Sequence, residues 1–254
     1  MTARDIPSPT RRQIAEWARL TQKKFRRERG QFLVEGEICV REALRARREM
    51  EAVLALSAEA ERWSGLLAQE HSRVPLYSVN AEAFRRFAKA ESSQGVVAVA
   101  RTFDLPAREG TLAIACEQVS DPGNCGGLIR VADFFGASEL FLGEDSAEIW
   151  NAKVVRGSMG SIFHQPVRED VDLLKIVREW KGSTVALVSH GGPSLRKKPE
   201  LKLPVLMVLG HEARGLSDEL AKACTHRLTL EAAGGAESLN LVTAAAVFAF
   251  AVAN

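Results

Sequence analysis

The sequence predicts an α/β protein of two units, a smaller N-terminal one and a larger one built on a parallel sheet. Strand-like and helix-like segments alternate over residues 31–104 and again from residue 111 onward. Between them, DLPAREG combines proline, glycine and charge, which is typical of a linker. We therefore expect units at 1–104 and 111–254, joined by 105–110.

The first unit opens with a basic segment, residues 10–29, that lacks helix breakers and is predicted to form a surface helix. Strands are predicted in QFLVEG, MEAVLAL, VPLYSV and GVVAVAR. Helices are predicted in EICVREALRARR, SAEAERWSGLLAQEH and NAEAFRRFAKA. Ser57 and Asn80 are of residue types that cap helix N-termini, so each is predicted to open its helix.

In the second unit, strands are predicted in TLAIACEQV, ELFLG, IFHQPV, TVALVS, VLMVLG and HRLTLE. Their apolar composition favours a parallel sheet covered by helices on both faces. Helices are predicted over 127–136, 149–159, 170–181, 217–224 and 238–253. The last contains the apolar run LNLVTAAAVFAFAVAN, which is shorter than the roughly 20 residues that span a bilayer. We expect a buried helix, in a core or at a subunit interface, and no membrane segment.

Charge is distributed unevenly along the chain. Residues 1–48 carry thirteen Lys and Arg against six acids, a net charge of +7, whereas the remainder is −5. A basic end on a nearly neutral body is typical of a nucleic-acid-binding protein. A solvated helix face would give the same pattern.

Cysteine usage indicates free thiols rather than a disulfide or metal framework. Cys39, Cys116, Cys125 and Cys224 form no CxxC pair and have no zinc-like spacing to histidine. Free thiols are typical of a reducing compartment, and the N-terminus lacks the apolar region of a secretory signal. The sequence therefore predicts a cytoplasmic protein without a bound metal.

Three turns rich in glycine, asparagine or charge follow predicted strands. They are DPGNCGGLIR (121–130), VLGHEARGLS (208–217) and LEAAGGAESLN (230–240). Each leads from a strand into a helix, and open α/β sheets bind ligands at the carboxyl ends of their strands. We therefore expect the functional site where these turns meet.

The common nucleotide and hydrolase motifs do not fit these turns. None has the GxGxxG spacing of a dinucleotide site, and the glycines of GHEARGLS are followed by Leu216 where a P-loop requires lysine. No serine lies in a GxSxG elbow, so no catalytic triad is predicted.

Arg130 is the unusual side chain of the first turn. It lies three residues past Gly127 in the otherwise apolar LIRVADFF. Burying an unpaired guanidinium is costly, so it must lie at a cleft edge or pair with an acid such as Glu212. Spacing alone leaves both the functional and the structural interpretation open.

Taken together, these turns resemble the SpoU (TrmH) branch of the SPOUT RNA methyltransferases. The three family motifs correspond in order to DPGNCGGLIRVADFFGA, VLGHEARGLS and ESLNLVTAAAVFAF. The segments RRERGQFLVEGEICVREAL and FRRFAKAESSQGVVAVA resemble the smaller substrate-binding domain that precedes many such enzymes, a fold similar to some ribosomal proteins.

The resemblance implies a function and an architecture. It implies transfer of a methyl group from S-adenosylmethionine to a ribose 2′-hydroxyl, in 23S ribosomal RNA rather than transfer RNA because of the additional N-terminal domain. It also implies a trefoil knot in the catalytic domain and a homodimer packed through the small-residue C-terminal helix. A transfer RNA methyltransferase and a catalytically inactive RNA-binding protein on the same fold remain as alternatives.

Site residues follow from the same resemblance. Arg130 would anchor phosphate and stabilise the developing oxyanion, because a guanidinium is a poor base. Asn124 and Asn240 would orient donor and ribose, Glu212 would fix Arg130 or a substrate hydroxyl, and Ser238 would hold the donor or the Asn240 loop. The donor pocket would be lined by Leu209, Gly210, Leu228, Leu230, Ser238 and Leu239. RNA would be bound by Lys23, Lys24, Arg26, Arg27, Arg29 and Arg130.

The sequence departs from the family pattern at two places. Thr229 replaces the proline that usually precedes the third motif, and a longer Gly-Gly loop follows it. His211 stands where asparagine or a small residue is commoner. We expect the donor pocket to differ in shape around Leu228 and Leu230.

Overall fold

A computed structural model of the protein describes residues 6–88, 93–197, 199–235 and 238–252. The chain divides into two compact units. The first comprises Met1–Phe103 and Trp150–Phe163, and the second comprises Asp104–Ile149 and His164–Asn254. Residues 150–163 thus belong to the first unit, although they lie between two parts of the second unit in the sequence.

The first unit contains a four-stranded mixed sheet. Its strands are β1 (Gln31–Glu35), β2 (Met50–Leu56), β3 (Leu76–Val79) and β4 (Val96–Arg101). Their order is β1-β4-β2-β3, with β4 antiparallel to β1 and β2, and β3 parallel to β2. The helices before residue 104 are α1 (Arg11–Ala18), α2 (Lys23–Arg29), α3 (Glu37–Arg45), α4 (Ala60–Gln69) and α5 (Ala81–Phe84).

Helix boundaries in this unit correct two predictions. The helix predicted over 10–29 is broken, because a 3-10 turn at Arg19–Thr21 and an extended Gln22 separate α1 from α2. Ser57 does not cap α4; its hydroxyl donates to the carbonyl of Val79 instead. The Asn80 cap is confirmed, since its side chain accepts a hydrogen bond from Ala83 N. Residues 89 and 90 of that predicted helix lie outside the described residues.

Residues 150–163 contain a short helix, α7 (Ala152–Gly157), and a 3-10 turn at Ser161–Phe163. Arg156 donates to the carboxylate of Glu35 at 2.7 Å, and Glu35 is only 3% exposed. Trp150 packs its ring against Phe32, with centroids 4.5 Å apart. The strand predicted as IFHQPV is therefore wrong in all but its last residue: Gly160, at φ +95°, turns the chain, and extended pairing begins only at Val167.

The second unit contains six parallel strands, as predicted. They are β5 (Leu112–Cys116), β6 (Leu140–Leu142), β7 (Val167–Arg168), β8 (Thr184–Val188), β9 (Val205–Leu209) and β10 (His226–Thr229), in the order β10-β8-β9-β5-β6-β7. The helices are α6 (Pro122–Phe134), α8 (Leu173–Glu179), α9 (Asp218–Ala223) and α10 (Leu241–Val252).

Helices of this unit pack in pairs. Leu173 and Val177 of α8 and Leu220 of α9 share one apolar core with alternate residues of β5 and β9. Helix α6 packs against α10, where an added Cβ on Gly127 would lie 2.9 Å from a methyl group of Val242. Within the described residues, no helix is long and apolar enough to cross a membrane.

Candidate active site at the carboxyl edge of the parallel sheet

The first two turns are neighbours because the strands before them are paired. Cys116, the last residue of β5, lies opposite Leu209, the last residue of β9. After β5, Asp121 caps α6 by accepting a hydrogen bond from Asn124 N at 2.8 Å, and Pro122 occupies the first helical position. The cap fixes Asn124 in the first turn of α6, beside the end of β9.

A chain of hydrogen bonds joins all three turns. Asn240 Nδ2 donates to Asn124 Oδ1 at 3.1 Å, and Asn124 Nδ2 donates to Glu212 Oε1 at 3.1 Å. Asn240 Oδ1 accepts from Val242 N at 2.9 Å, which fixes the orientation of its amide. We call Asn240, Asn124 and Glu212 the amide–carboxylate chain. Three residues predicted from separate motifs therefore meet, although more than 110 positions separate the two asparagines.

The second turn is a small hairpin, His211–Gly215. His211 N donates to Gly215 O at 3.0 Å and Gly215 N donates to His211 O at 2.8 Å. Gly210 must be glycine here, because a Cβ would lie 2.1 Å from backbone atoms of Gly215 and Leu216. Gly215 itself has φ +69°, a conformation that favours glycine.

Side chains of the segment between β5 and α6 hold this hairpin and the start of α9. Glu117 accepts from Ser217 N at 2.7 Å, and Gln118 accepts from the guanidinium of Arg214. Ser120 Oγ lies 3.2 Å from Nε2 of His211. The motif resemblance gave no role to Gln118, Ser120 or Arg214. The only signal was position: Arg214 lies inside the second motif, and Gln118 and Ser120 lie three residues and one residue before Asp121 of the first.

A cavity of about 410 Å³ lies beside the hairpin. Five of the six residues predicted to contact the donor line it: Leu209, Gly210, Leu230, Ser238 and Leu239. Leu228 does not, since it is buried within β10 at 2% exposure. Glu212 lines the same cavity, so the amide–carboxylate chain reaches its wall. We call this space the donor cavity.

The lining of the donor cavity suits a molecule with a flat heterocycle and charged groups. Leu187, Leu209 and Leu239 supply apolar surface, whereas Arg214 and Arg227 supply positive charge. Its volume lies within the usual range for small-molecule sites, about 300–1,000 Å³. S-adenosylmethionine has these features, so the residues present fit that cofactor.

Arg130 does not join the amide–carboxylate chain. Its side chain is exposed, and no hydrogen bond or ion pair links it to another residue of the described part of the chain. The carboxylate of Glu212 contacts Asn124, and the ion pair between Arg130 and Glu212 that the sequence left open is not formed. Phe134, one helical turn further on α6, is 81% exposed.

The predicted RNA-binding residues of the first unit differ in exposure. Lys23, Lys24 and Arg27 are exposed, whereas Arg29 is half-buried and lies 3.5 Å from Glu16. Arg26 is only 5% exposed and donates to the carbonyl of Leu20 at 2.9 Å. Because Arg26 is buried, its guanidinium contacts the protein itself. The basic surface that can contact a ligand therefore consists of Lys23, Lys24, Arg27 and Arg29.

Cys125 lies inside the first turn but is not a nucleophile. Burial raises the pKa of its thiol to about 12, and its Sγ contacts the carbonyl of Ala147. At neutral pH the thiol therefore stays protonated. Among the described residues, no group of three or more His, Cys, Asp or Glu side chains could hold a metal ion.

Two ranges of the chain match models of known protein families. Residues 111–250 match the model of the SpoU rRNA Methylase family, and residues 11–98 match that of the MRM3-like substrate binding domain. The 23S rRNA (guanosine(2553)-2′-O)-methyltransferase of Bacillus subtilis is 29% identical over 251 residues, covering 97% of this chain and 98% of that protein. The 23S rRNA (uridine(2479)-2′-O)-methyltransferase of Streptomyces viridochromogenes is 33% identical over 150 residues, 56% of this chain and 52% of that protein.

Solved structures of RNA methyltransferases are also similar to this chain. The AdoMet-bound rRNA methyltransferase from Sinorhizobium meliloti has a TM-score of 0.81 at 28% identity, covering 97% of this chain and 96% of that one. A putative RNA methyltransferase of the TrmH family from Porphyromonas gingivalis has a TM-score of 0.79 at 27% identity, covering 96% and 97%. The similarity to both spans nearly the whole chain.

Proposed function

Because the chain belongs to the SpoU rRNA methylase family, and is therefore an RNA methyltransferase that uses S-adenosylmethionine, we propose that it methylates a ribose 2′-hydroxyl of 23S ribosomal RNA. The relatives from B. subtilis and S. viridochromogenes, both named as 23S rRNA 2′-O-methyltransferases, support this ribose and this RNA. The match of residues 11–98 to a substrate binding domain supports a role of the first unit in binding that RNA.

One observation carries the proposal. Glu212 belongs both to the amide–carboxylate chain and to the wall of the donor cavity. A nucleophile held by this chain would therefore be held at the edge of the methyl donor. Positioning two reactants in this way can supply a large part of the rate enhancement of a displacement reaction.

Each member of the chain has a role in this transfer. S-adenosylmethionine supplies, when bound, an electrophilic methyl group on a sulfonium. The amide of Asn124 donates a hydrogen bond to Glu212 Oε1, so Glu212 Oε2 would accept one from the ribose 2′-hydroxyl. Asn240 fixes the Asn124 amide from the other side. Ser238 lines the donor cavity two residues before Asn240 and would hold the donor there.

Arg130 would bind the phosphate next to the target ribose and stabilise the developing oxyanion. Its exposed guanidinium has no partner among the described residues, so its five donors are available to an RNA phosphate. Exposed Lys23, Lys24 and Arg27, with Arg29 beside them, would supply affinity that does not depend on sequence.

The active form would be a homodimer with a knotted catalytic domain. Phe134 of α6 and Val247 of α10 are large apolar side chains exposed on two helices that pack against each other. Exposed apolar surface of this kind marks interaction sites. Arg130, one turn from Phe134, would lie at such an interface. The RNA substrate and four free thiols fit a cytoplasmic location.

Transfer of labelled methyl from S-adenosylmethionine tests the function. Ribosomal RNA that lacks modifications and transfer RNA are supplied in separate reactions, with Arg130→Ala as the control. Label is expected in 23S RNA, absent with the variant, at a position resistant to alkaline hydrolysis, because a 2′-O-methyl group blocks cleavage of the adjacent phosphodiester. Label on a base, or only in transfer RNA, would contradict the proposal. Binding of RNA without transfer to free RNA or to ribosomal particles would indicate an inactive RNA-binding protein.

A further inference from the structure

The imidazole of His211 fills the hairpin that carries Glu212. Its Nδ1 lies 3.0 Å from Ala213 N and 3.4 Å from Arg214 N, and both N–H groups point at it. A backbone N–H can only donate, so Nδ1 accepts and the ring hydrogen lies on Nε2. Nε2 then donates to Ser120 Oγ at 3.2 Å. Both ring nitrogens are thus used, and only the neutral ring with hydrogen on Nε2 satisfies all these contacts.

These contacts determine where the next side chain points. Glu212 follows His211 directly, and its carboxylate receives the amide of Asn124. Ser120, bound to the other side of the ring, belongs to the loop that leads into α6 and Asn124. One imidazole therefore joins the two segments that supply Glu212 and Asn124.

We propose that His211 is a positioning residue for methyl transfer: its neutral imidazole shapes the hairpin and holds Glu212 against Asn124. The proposal rests on the proposed function for its rate measurement, and it adds a residue and a dependence on acidity that the function does not require. An asparagine at this place would accept the same two N–H groups through its Oδ1, as side chains of Asx turns do. Histidine differs because its acceptor can be protonated.

Protonation would break this arrangement. A hydrogen on Nδ1 would face the two N–H groups of Ala213 and Arg214, so three donors would meet without an acceptor. The hairpin would then release the ring, and Glu212 would lose its fixed direction. The nearest charged groups are Glu212, whose Oε2 lies 3.9 Å from Nε2, and Arg214 on the same hairpin. His211 also lines one cavity with Glu117, Glu144, Asp145 and Glu219, and it lines the donor cavity with His190 and Arg227.

Two variants separate positioning from mere filling of space. His211→Asn keeps an acceptor that cannot be protonated, and His211→Leu keeps bulk without an acceptor. His71→Asn is the matched control, because His71 is exposed in the first unit and its φ of +50° suits asparagine. Single-turnover methyl transfer is measured from pH 5 to 9 with saturating donor and RNA, together with donor affinity by calorimetry.

We expect the wild-type and His71→Asn rates to be lower at pH 5 than at pH 7, because protonation of the His211 ring removes the acceptor of Ala213 N and Arg214 N. At neutral pH the rate of His211→Asn should lie within about threefold of the wild-type rate, and this rate should not decrease in acid. His211→Leu should be slower at every pH, by about tenfold to hundredfold, the usual cost of a misplaced reacting group, with donor affinity unchanged. An unchanged acidic fall in His211→Asn, or a wild-type rate in His211→Leu, would overturn the proposal.

A measurement independent of activity keeps this inference apart from the function. Protection factors of the Ala213 and Arg214 amides compare their hydrogen exchange with that of an unfolded chain at the same pH. They should be high at neutral pH and low in acid for wild type, and high at both for His211→Asn. If these amides behave so while no RNA is methylated on ribose, the proposed function fails and the role of His211 in the hairpin stands. If ribose methylation is found but the amides are unprotected at neutral pH, the inference fails and the function stands.

Discussion

The carboxyl edge of the parallel sheet and the basic helices of the first unit use polar side chains in opposite ways. At the sheet edge, Asn124 and Glu212 each have fixed partners within 3.1 Å, on segments far apart in the sequence. On α2, Lys23 and Arg27 are exposed, and exposed Lys24 forms an ion pair with Glu28, one helical turn away, at 3.8 Å. Groups that hold one another in a chain of hydrogen bonds act as a unit, whereas the contacts of exposed charges are screened by salt.

The largest effect is expected at Arg130. It is exposed like the cations of α2, but it lies in the first motif, next to the hydrogen-bonded sheet edge. Arg130→Ala should lower single-turnover methyl transfer by about a thousandfold, the usual cost of losing an oxyanion donor. Donor affinity should not change, since Arg130 does not line the donor cavity. Arg130→Lys keeps the charge but not the bidentate guanidinium, so its rate should lie between those of the wild type and Arg130→Ala. A near-wild-type rate in Arg130→Ala would remove Arg130 from the mechanism.

A smaller loss is expected when the charge of the amide–carboxylate chain is removed. Glu212→Gln keeps an oxygen for Asn124 but weakens acceptance of the ribose hydroxyl, so the rate should fall by about tenfold to a hundredfold. Glu179→Gln, an exposed carboxylate on α8, is the matched control and should leave the rate unchanged. Equal rates in both variants would show that the carboxylate at the sheet edge acts no differently from one on the surface.

Neutralising the basic surface should weaken binding without affecting chemistry. Replacing Lys23, Lys24 and Arg27 by glutamine should lower RNA affinity and reduce the slope of log affinity against log salt by about two, since each phosphate contact contributes about 0.7–0.9. Arg26 is left in place because it is buried. The control replaces three exposed cations on or just after α8, Lys175, Arg178 and Lys181. Equal slopes in both triple variants would make α2 an ordinary solvated face.

The smallest effect is expected at Cys125, a buried thiol of the first turn that takes no part in the amide–carboxylate chain. Burial raises its pKa to about 12, so the thiolate is essentially absent at neutral pH and forms only as pH rises far above it. Iodoacetamide at pH 8 should not modify the folded protein at Cys125, as mass spectrometry of tryptic peptides would show. Rapid modification at that pH would mean that the turn opens in solution.

Local patterns in the sequence were sufficient for much of this architecture. Apolar runs bounded by glycine and polar turns predicted five of the six parallel strands closely, while β7 overlaps its predicted segment only at Val167. The resemblance brought Asn124, Glu212 and Asn240 to one site. The Asn80 cap followed from residue type alone. These features depend on neighbouring residues, or on the rule that carboxyl ends of parallel strands share one edge.

Other features required the tertiary structure, because they depend on partners far away in the chain. Burial of Arg26, the absence of a bond between Arg130 and Glu212, and the position of Leu228 outside the donor cavity follow from packing that no local period encodes. Folding of residues 150–163 with the first unit depends on Glu35 and Phe32, more than 110 positions earlier. The sequence by itself determined which side chains reach the sheet edge, and tertiary packing decided which of them hold one another, because a hydrogen bond depends on distance in space.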